Sequence, residues 1–379
     1  MPEIKIKNAT KRFGKFVAVE NLDITIADKG FVTLLGPSGC GKTTTLRMLS
    51  GLESPTEGEI YIDDELVFSS QKGVDLPPAK RDVGFLFQNY ALWPHMTVNE
   101  NISFGLENLK WSRADVSQRV HELTELLKID EFLKRYPAEL SGGQQQRVAI
   151  ARTLAPRPRV LFMDEPLSNL DAKLRIEMRA ELKRLHRETN STFVYVTHDQ
   201  LEAMTLSSQI CLMKEGVVQQ YAPPLVVYKA PSNQFSAEFV GNPTINFVEV
   251  ECLSVEAEET QLAADDLLFT FKPHSPSPAI EIGKRFIIGI RPECIRLSED
   301  FRVRGKIYSA LPSGMETTVM LKLKNILLTS VVFGAQDFPV DGDIGLELID
   351  DNYILFDKES QETITSGPLI VSPRDTAHI

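Results

Sequence analysis

The chain has 379 residues, of which 42% are apolar and 25% are charged, and its formal net charge is −11. This length predicts two or three domains, and the composition is ordinary for soluble globular proteins. No apolar run approaches the roughly 18 residues that a membrane-spanning helix needs, and the negative charge argues against nucleic acid as the main partner.

The cysteines and the start of the chain indicate a cytoplasmic protein. Cys40, Cys211, Cys252 and Cys294 stand singly, without the spacing of a metal site or of a disulfide framework. Residues 1–7 mix charges and lack the apolar segment of a signal peptide. We therefore expect a cytoplasmic chain that can take part in transport only through membrane partners.

The first element with a chemical meaning is a strand, a glycine-rich loop and a helix in direct succession. Residues 31–35 are apolar and β-prone, and a helical pattern follows at 46–49. The loop between them reads G-x-x-x-x-G-K-[ST], a P-loop, whose backbone N–H groups surround the phosphates of ATP. Lys42 is expected to reach the β- and γ-phosphates, and Thr43 is expected to ligate Mg²⁺. The predicted nucleotide-binding residues are Gly36, Pro37, Ser38, Gly39, Cys40, Gly41, Lys42, Thr43 and Thr44.

The alternation of strands and helices is interrupted after residue 88. A loop there carries large apolar residues close together, namely Tyr90, Leu92, Trp93, Pro94 and Met96. An exposed cluster of this kind indicates an interface, and the alternative is a loop that packs on its own subdomain. An amphipathic helix follows, with apolar residues at helical spacing: Val120, Leu123, Leu126 and Leu127.

A second glycine-rich helix start lies too far along the chain to belong to the P-loop. It reads Leu140-Ser141-Gly142-Gly143-Gln144. The free N–H groups and the dipole of such a helix can face a γ-phosphate. Because the P-loop already supplies such groups, the second set is most useful on the opposite side of the nucleotide.

Two further strands end in residues that suit phosphate chemistry. The strand at 160–163 leads to Asp164, expected to hold Mg²⁺, and to Glu165, expected to accept a proton from the attacking water or to orient it. The strand at 192–197 leads to His198. Solvated acids and a local cap are the alternatives, but ligands of parallel sheets bind at the carboxyl ends of the strands, where these groups would meet the P-loop.

These motifs, in this order, resemble the ATP-binding cassette (ABC) ATPases over roughly residues 3–235. The resemblance implies that Phe13 stacks on adenine; an ordinary surface or core phenylalanine is the alternative. It also implies that Gln88 is the Q-loop glutamine, both a Mg²⁺ ligand and part of the catalytic set. Asp171 would belong to the D-loop at 168–171, beside the nucleotide.

The same resemblance implies a head-to-tail dimer in which ATP bridges the two chains. The P-loop of one chain would be covered by Ser141, Gly142, Gly143 and Gln144 of the other. Hydrolysis would remove the γ-phosphate that both helices hold, which makes a ligand-driven switch. A helical subdomain at about 89–155 would receive a coupling helix from each membrane subunit.

The last third of the chain predicts a different architecture. Short β-prone runs at 286–290, 317–321 and 353–356 lie between glycine, proline and acidic turns, which is typical of small β-barrels. Residues 238–243 and 288–293 resemble motifs of the maltose-importer type of ABC ATPase, whose accessory domain has OB-like barrels.

The predicted fold class is therefore an α/β P-loop NTPase cassette with a helical subdomain, followed by an all-β OB-like accessory domain. The cassette is placed at 1–235 and the regulatory β-barrel domain at 236–379, ending in a polar tail at 367–379.

The leading functional hypothesis is the ATPase subunit of an importer of sugars, oligosaccharides or polyols. It would pair with itself or with a related ATPase, bind two transmembrane permease subunits, and work with an extracytoplasmic solute-binding protein, without nucleic acid. It would lie on the cytoplasmic face of the membrane. An importer of polyamines or ferric iron is the alternative. A soluble ABC ATPase is less expected, because there is one cassette without a coiled-coil insertion. Glu165 and His198 together disfavour a protein that binds ATP without turnover.

Overall fold

The computed structural model of the protein describes residues 3–256, 258–275 and 277–374. The chain divides into two compact units, Met1–Pro224 and Leu225–Ile379. The predicted division into 1–235 and 236–379 stays a prediction. None of the helices within the described residues is long and apolar enough to cross a membrane.

The first unit begins with an antiparallel sheet. Its order is β2-β1-β4-β5-β6. These strands are β1 (Ile4–Phe13), β2 (Phe16–Ile26), β4 (Glu57–Ile62), β5 (Glu65–Ser69) and β6 (Val74–Asp75). The alternation of buried and exposed residues in β2 is that of a sheet with one face on the core.

The second sheet of this unit holds the predicted strands. Its order is β11-β10-β3-β9-β8-β7, and every pair except β10 with β11 is parallel. The strands are β3 (Phe31–Leu35), β7 (Val83–Leu86), β8 (Val160–Asp164), β9 (Thr192–Thr197), β10 (Gln209–Lys214) and β11 (Val217–Ala222). Every residue of β3, β8 and β9 is buried, as expected of strands covered on both faces.

The ends of these three strands meet at one edge. Leu35 pairs with Thr197, and Asp164 pairs with Val196, so the carboxyl ends of β3, β8 and β9 lie within one residue of each other in register. The three segments that carry the predicted site residues therefore leave the sheet side by side.

Six helices accompany this sheet in the described part of the first unit. They are α1 (Lys42–Ser50), α2 (Val98–Asn108), α3 (Arg113–Leu127), α4 (Gly142–Leu154), α5 (Ala172–Thr189) and α6 (Gln200–Leu206). The amphipathic pattern predicted for α3 is confirmed, since Val120, Leu123 and Leu127 are buried and Leu126 packs against the same cluster. The helices α2, α3 and α4 fall in the predicted helical subdomain.

The second unit includes two short helices near its start, α7 (Pro224–Lys229) and α8 (Gln234–Phe239), and continues as an all-β fold. One antiparallel sheet has the order β22-β21-β15-β12-β13-β14-β23, and the other β16-β20-β17-β18-β19. The strands are β12 (Asn246–Val255), β13 (Thr260–Ala264), β14 (Leu267–Phe271), β15 (Arg285–Ile290), β16 (Ile295–Ser298), β17 (Val303–Pro312), β18 (Glu316–Leu323), β19 (Ile326–Phe333), β20 (Asp343–Leu348), β21 (Tyr353–Asp357), β22 (Thr363–Gly367) and β23 (Leu369–Pro373).

Both parts of the predicted fold class are confirmed. The first unit is an α/β structure built on a P-loop, and buried residues of both antiparallel sheets form one core in the second. Phe286 of β15 and Leu321 of β18 illustrate that shared core, since both are fully buried.

The prediction of a polar tail at 367–379 is wrong for its first half. Residues 369–373 form β23, which pairs with β14 so that Val371 lies opposite Phe269. Leu369 is buried, because its side chain faces the core of the unit. Residues 375–379 lie outside the described residues.

Candidate nucleotide site

The predicted phosphate-binding loop connects β3 to α1. Lys42, Thr43 and Thr44 form the first turn of α1, and the loop residues before them are Gly36, Pro37, Ser38, Gly39, Cys40 and Gly41. Gly41 is the N-cap residue, with φ 101° and ψ −1°. The first N–H groups of α1 therefore open towards the loop, which is the arrangement that binds an anion at a helix start.

Lys42 is held by the loop itself. Its ammonium donates hydrogen bonds of 2.8 Å to the carbonyl oxygens of Gly36 and Pro37 and lies 3.7 Å from the Cys40 sulfur. The residue is only 5% exposed. A buried cation whose neighbours are neutral carbonyls is poorly compensated, which favours the arrival of a phosphate beside it.

Thr43 and Asp164 supply oxygen ligands at the same place. The Thr43 hydroxyl donates a 2.9 Å hydrogen bond to Oδ1 of Asp164. Burial raises the pKa of the Asp164 carboxyl, and the bond from Thr43 opposes that shift. A hydroxyl and a carboxylate suit Mg²⁺, which commonly takes few protein ligands and completes its shell with water and phosphate oxygens. Accordingly, no cluster of three or more histidine, cysteine or acidic side chains of metal-binding type occurs among the described residues.

Glu165, His198 and Gln88 come together beyond the strand ends. His198 Nδ1 lies 3.3 Å from Glu165 Oε1, and Gln88 Nε2 lies 3.5 Å from Glu165 Oε2. Glu165 has φ 44°, a left-handed backbone that is rare for this residue type, and its N–H donates to the Val196 carbonyl at 3.1 Å. Such conformations cost about 1–3 kcal/mol and are concentrated at functional sites. The structure thus gathers the three predicted catalytic side chains into one group.

Asp171 is placed differently from the other predicted binding residues. Its carboxylate is the N-cap of α5 and accepts a 3.0 Å hydrogen bond from the Leu174 N–H. Two neighbours in the same turn hold Gln88: Ser168 Oγ accepts from Gln88 Nε2 at 3.3 Å, and Asn169 Nδ2 donates to the Gln88 carbonyl at 3.2 Å. Nucleotide contact by Asp171 stays a prediction, and its role in this structure is to start α5.

The second glycine-rich element begins α4 with a capping box. Ser141 Oγ accepts from the Gln144 N–H, and Gln144 Oε1 accepts from the Ser141 N–H. Gly142 and Gly143 pack against Leu170 and Leu174, close enough that a Cβ on Gly143 would lie 2.6 Å from Leu174. Within the described residues, none of residues 141–144 makes a hydrogen bond to the P-loop. Within one chain, no described hydrogen bond therefore joins the two predicted phosphate-binding elements.

Phe13 lies at the end of β1 and is 48% exposed. It pairs with Phe16 across the turn, and the Lys11 ammonium lies 4.7 Å from its ring centroid. A large exposed ring at a hairpin end can stack on a base, and this role stays a prediction.

The loop after Gln88 is exposed only in part, since Leu92, Trp93 and Met96 are half-buried and Pro94 is exposed. Tyr90 is 6% exposed and belongs to the core, and Leu92 packs against the same core. Trp93 contacts the ring of Phe104, and the Arg152 guanidinium lies 4.9 Å from the Trp93 centroid. Packing on its own subdomain therefore accounts for Tyr90, Leu92 and Trp93. For Pro94 and Met96 the interface stays a prediction.

Two charged residues near His198 were not anticipated. Arg175 on α5 and Glu202 on α6 make contacts to the segments around the site. The spacing of Asp199 and Glu202 is the D-x-x-E pattern of a helix start, but the Glu202 side chain turns into the core instead of completing a capping box.

Gly41 gives a direct test of the loop geometry. A Cβ at this position would lie 2.4 Å from the Ala18 carbonyl oxygen, whereas Gly39, with φ 80°, has open space around it. We expect Gly41→Ala to destabilise the protein by about 2 kcal/mol or more and Gly39→Ala by about 1 kcal/mol, because only the first adds a clash to backbone strain. Calorimetric melting of the full chain checks this, and equal melting temperatures for the two variants would contradict it.

Comparison with known proteins gives a consistent picture. The family model described as "ABC transporter" matches residues 19–168. The trehalose/maltose import ATP-binding protein MalK of Thermococcus litoralis is 47% identical over 296 residues, which cover 77% of this chain and 78% of that protein. The spermidine/putrescine import ATP-binding protein PotA of Rubrobacter xylanophilus is 45% identical over 321 residues, covering 84% and 83%. The maltose/maltodextrin import ATP-binding protein MalK of Salmonella typhimurium is 41% identical over 328 residues, covering 86% and 87%.

Two solved structures are similar to more than half of this chain. A dimeric ATP-binding cassette in a post-hydrolysis state, bound to ADP and Pi, is 35% identical with a TM-score of 0.51, covering 58% of this chain and 98% of that one. The cbiO1 protein of Clostridium perfringens, part of the ABC transporter complex cbiONQ, is 28% identical with a TM-score of 0.55, covering 59% and 89%.

Proposed function

This chain belongs to the ABC transporter family of ATPases, and we propose that it is the ATP-hydrolysing subunit of an importer for sugars, oligosaccharides or polyols. The observation that carries the proposal is the 47% identity to a trehalose/maltose import ATP-binding protein. That match of 296 residues is longer than the first unit, Met1–Pro224, so it continues into the all-β unit.

The proposed roles of the site residues are supported by these contacts and by the membership of the family. Lys42 and the first turn of α1 bind the phosphates of ATP, and Phe13 stacks on the adenine. Thr43 and Asp164 would hold Mg²⁺, with Gln88 as a further ligand, and the ion would neutralise charge on the β- and γ-phosphates. Glu165 accepts the proton of the attacking water or orients it, and His198 contacts the γ-phosphate.

We further propose that two chains, or this chain and a related ATPase, form the working dimer. The supporting observation is that residues 141–144 form the start of α4, where Ser141 and Gly142 are exposed. These residues make no described hydrogen bond to the P-loop of their own chain. A similar solved cassette is a dimer. The dimer lies on the cytoplasmic face of the membrane, bound to two permease subunits and served by an extracytoplasmic solute-binding protein.

A polyamine importer is the second candidate, because the spermidine/putrescine relative is 45% identical over 84% of this chain. Uptake by the host organism separates the two. Deletion of the gene is expected to abolish uptake of labelled maltose, maltodextrin or trehalose, to spare spermidine uptake, and to be complemented by the wild type but not by Glu165→Gln. Loss of spermidine uptake alone would replace the sugar proposal by the polyamine one.

A further inference from the structure

A buried carboxylate lies behind the catalytic group. The side chain of Glu202, on α6, is 4% exposed. Its Oε2 accepts hydrogen bonds from the Tyr195 hydroxyl at 2.8 Å and from the Thr197 hydroxyl at 2.7 Å. Burial raises the pKa of the Glu202 carboxyl, while the two hydroxyl donors lower it. Since Thr197 immediately precedes His198, Glu202 fixes the end of the strand that carries the histidine.

Arg175 is the cation that meets this carboxylate. Its Nε lies 3.9 Å from Glu202 Oε1, and its Nη1 donates to Asp199 Oδ2 at 3.4 Å. Its Nη2 donates to the Leu170 carbonyl oxygen at 3.2 Å. One guanidinium therefore touches the residue that follows His198 and the turn that precedes α5.

The turn reached by Arg175 is the one that holds Gln88. Because Gln88 and His198 both contact Glu165, the contacts close a ring around the catalytic carboxylate. The members of the ring are Glu165, His198, Asp199, Arg175, Leu170, Ser168, Asn169 and Gln88. In this ring Arg175 is the link between the two segments that flank Glu165.

We propose that Arg175, paired electrostatically with Glu202 at 3.9 Å, is a positioning residue for ATP hydrolysis that sets His198 and Gln88 against Glu165. The inference rests on the proposed function. A planar guanidinium has several N–H donors in fixed directions, so Arg175 can donate to the Asp199 carboxylate and to the Leu170 carbonyl oxygen at the same time. A lysine ammonium cannot do this with the same geometry. Among the described residues, Arg175 makes no hydrogen bond or ion pair with residues 36–44, so it should not affect nucleotide binding directly.

The test is steady-state ATP hydrolysis by the full chain. Arg175→Ala is expected to lower kcat on the order of tenfold or more, since small displacements of catalytic groups carry losses of this size, and to leave KM for ATP within about threefold. Glu202→Gln keeps the shape of the side chain and is likewise expected to lower kcat while leaving KM for ATP within about threefold. Arg187→Ala, an exposed arginine near the end of α5, is the matched control and should behave as the wild type.

A second arm asks whether Arg175 acts through His198. In a His198→Ala background, Arg175→Ala is expected to lower the single-turnover rate by a smaller factor than it does in the wild type, because one of the two groups that Arg175 positions is gone. A full additional loss there would overturn the inference, as would a raised KM with unchanged kcat.

Folding is checked separately by melting temperature and by ATP binding. If Arg175→Ala does not fold, the inference is tested by kcat of Glu202→Gln instead. A wild-type kcat in that variant overturns the inference. Absence of hydrolysis by the wild type would count against the proposed function itself. If the wild type is active and the variants are fully active, only the role of Arg175 is contradicted.

Discussion

Replacing Glu165 by glutamine is expected to reduce kcat for ATP hydrolysis by roughly 10²- to 10⁴-fold, the range that a positioned general base contributes. The amide keeps the size of the side chain and can still contact Gln88, but it cannot take a proton from water. The backbone of Glu165 is fixed by its bond to Val196, so the loss concerns the carboxylate and not the path of the chain. Steady-state phosphate release measures the effect, and normal turnover would remove Glu165 from its role.

The same variant should retain ATP and accumulate as a dimer. Because the proposed binding site uses α1 and Lys42, with which the Glu165 side chain makes no hydrogen bond in the described structure, the affinity for ATP should stay within about threefold of the wild type. With hydrolysis blocked, the γ-phosphate would continue to join the two chains of the proposed dimer, and size-exclusion chromatography with ATP should show more dimer than for the wild type.

Ser141 provides the control for that dimer. In the Glu165→Gln background, Ser141→Arg places a long side chain at the exposed start of α4 and should leave ATP-bound monomers. Ser141→Ala removes the same cap hydrogen bond without the bulk and should still dimerise. A dimer in the Ser141→Arg double variant would count against the arrangement in which each chain covers the ATP of the other.

The sequence was sufficient for the parts of the site that depend on buried strands. Residues 31–35, 160–163 and 192–197 are continuous apolar runs, and such runs become parallel strands buried on both faces, with their carboxyl ends at one edge. Pairing of these strands in the sheet then places Leu35 opposite Thr197. This is why Thr43, Asp164, Glu165 and His198 could be assigned to one place before their distances were known.

Contacts that depend on tertiary packing could not be predicted in the same way. The pairing of Arg175 with Glu202 joins α5 to α6, and no local pattern relates residues that far apart. The loop at Tyr90 and Leu92 was ambiguous because an apolar residue in a loop can turn to a partner or to its own core. The strand at 369–373 did carry a signal, three consecutive apolar residues, which the surrounding serine, glycine and proline residues obscured.

Replacing Lys42 by alanine is the other change with a large expected effect. In the described structure, its ammonium is the single cation that contacts the carbonyl oxygens of the loop. It lies 2.8 Å from those of Gly36 and Pro37. Hydrogen bonds to charged groups contribute about 1.5–3 kcal/mol each, so the loss of one phosphate contact should weaken ATP binding by roughly 10- to 100-fold. Titration calorimetry with ATP measures this, and ADP should be affected less if Lys42 reaches the γ-phosphate.

A weaker affinity could also come from a loop that has lost its internal bonds, and two variants separate the causes. Lys42→Met fills the same volume without charge, so it should lose affinity as much as Lys42→Ala if the charge matters, and less if the loop shape matters. Lys42→Arg keeps the charge with a different donor geometry and should recover part of the affinity. Because Gly36 and Pro37 lose their donor in both Lys42→Ala and Lys42→Met, both variants should melt below the wild type, and Lys42→Ala lower still, since it also leaves the volume of the side chain unfilled. Wild-type affinity for ATP in Lys42→Met would mean that the ammonium binds only the loop and never the nucleotide.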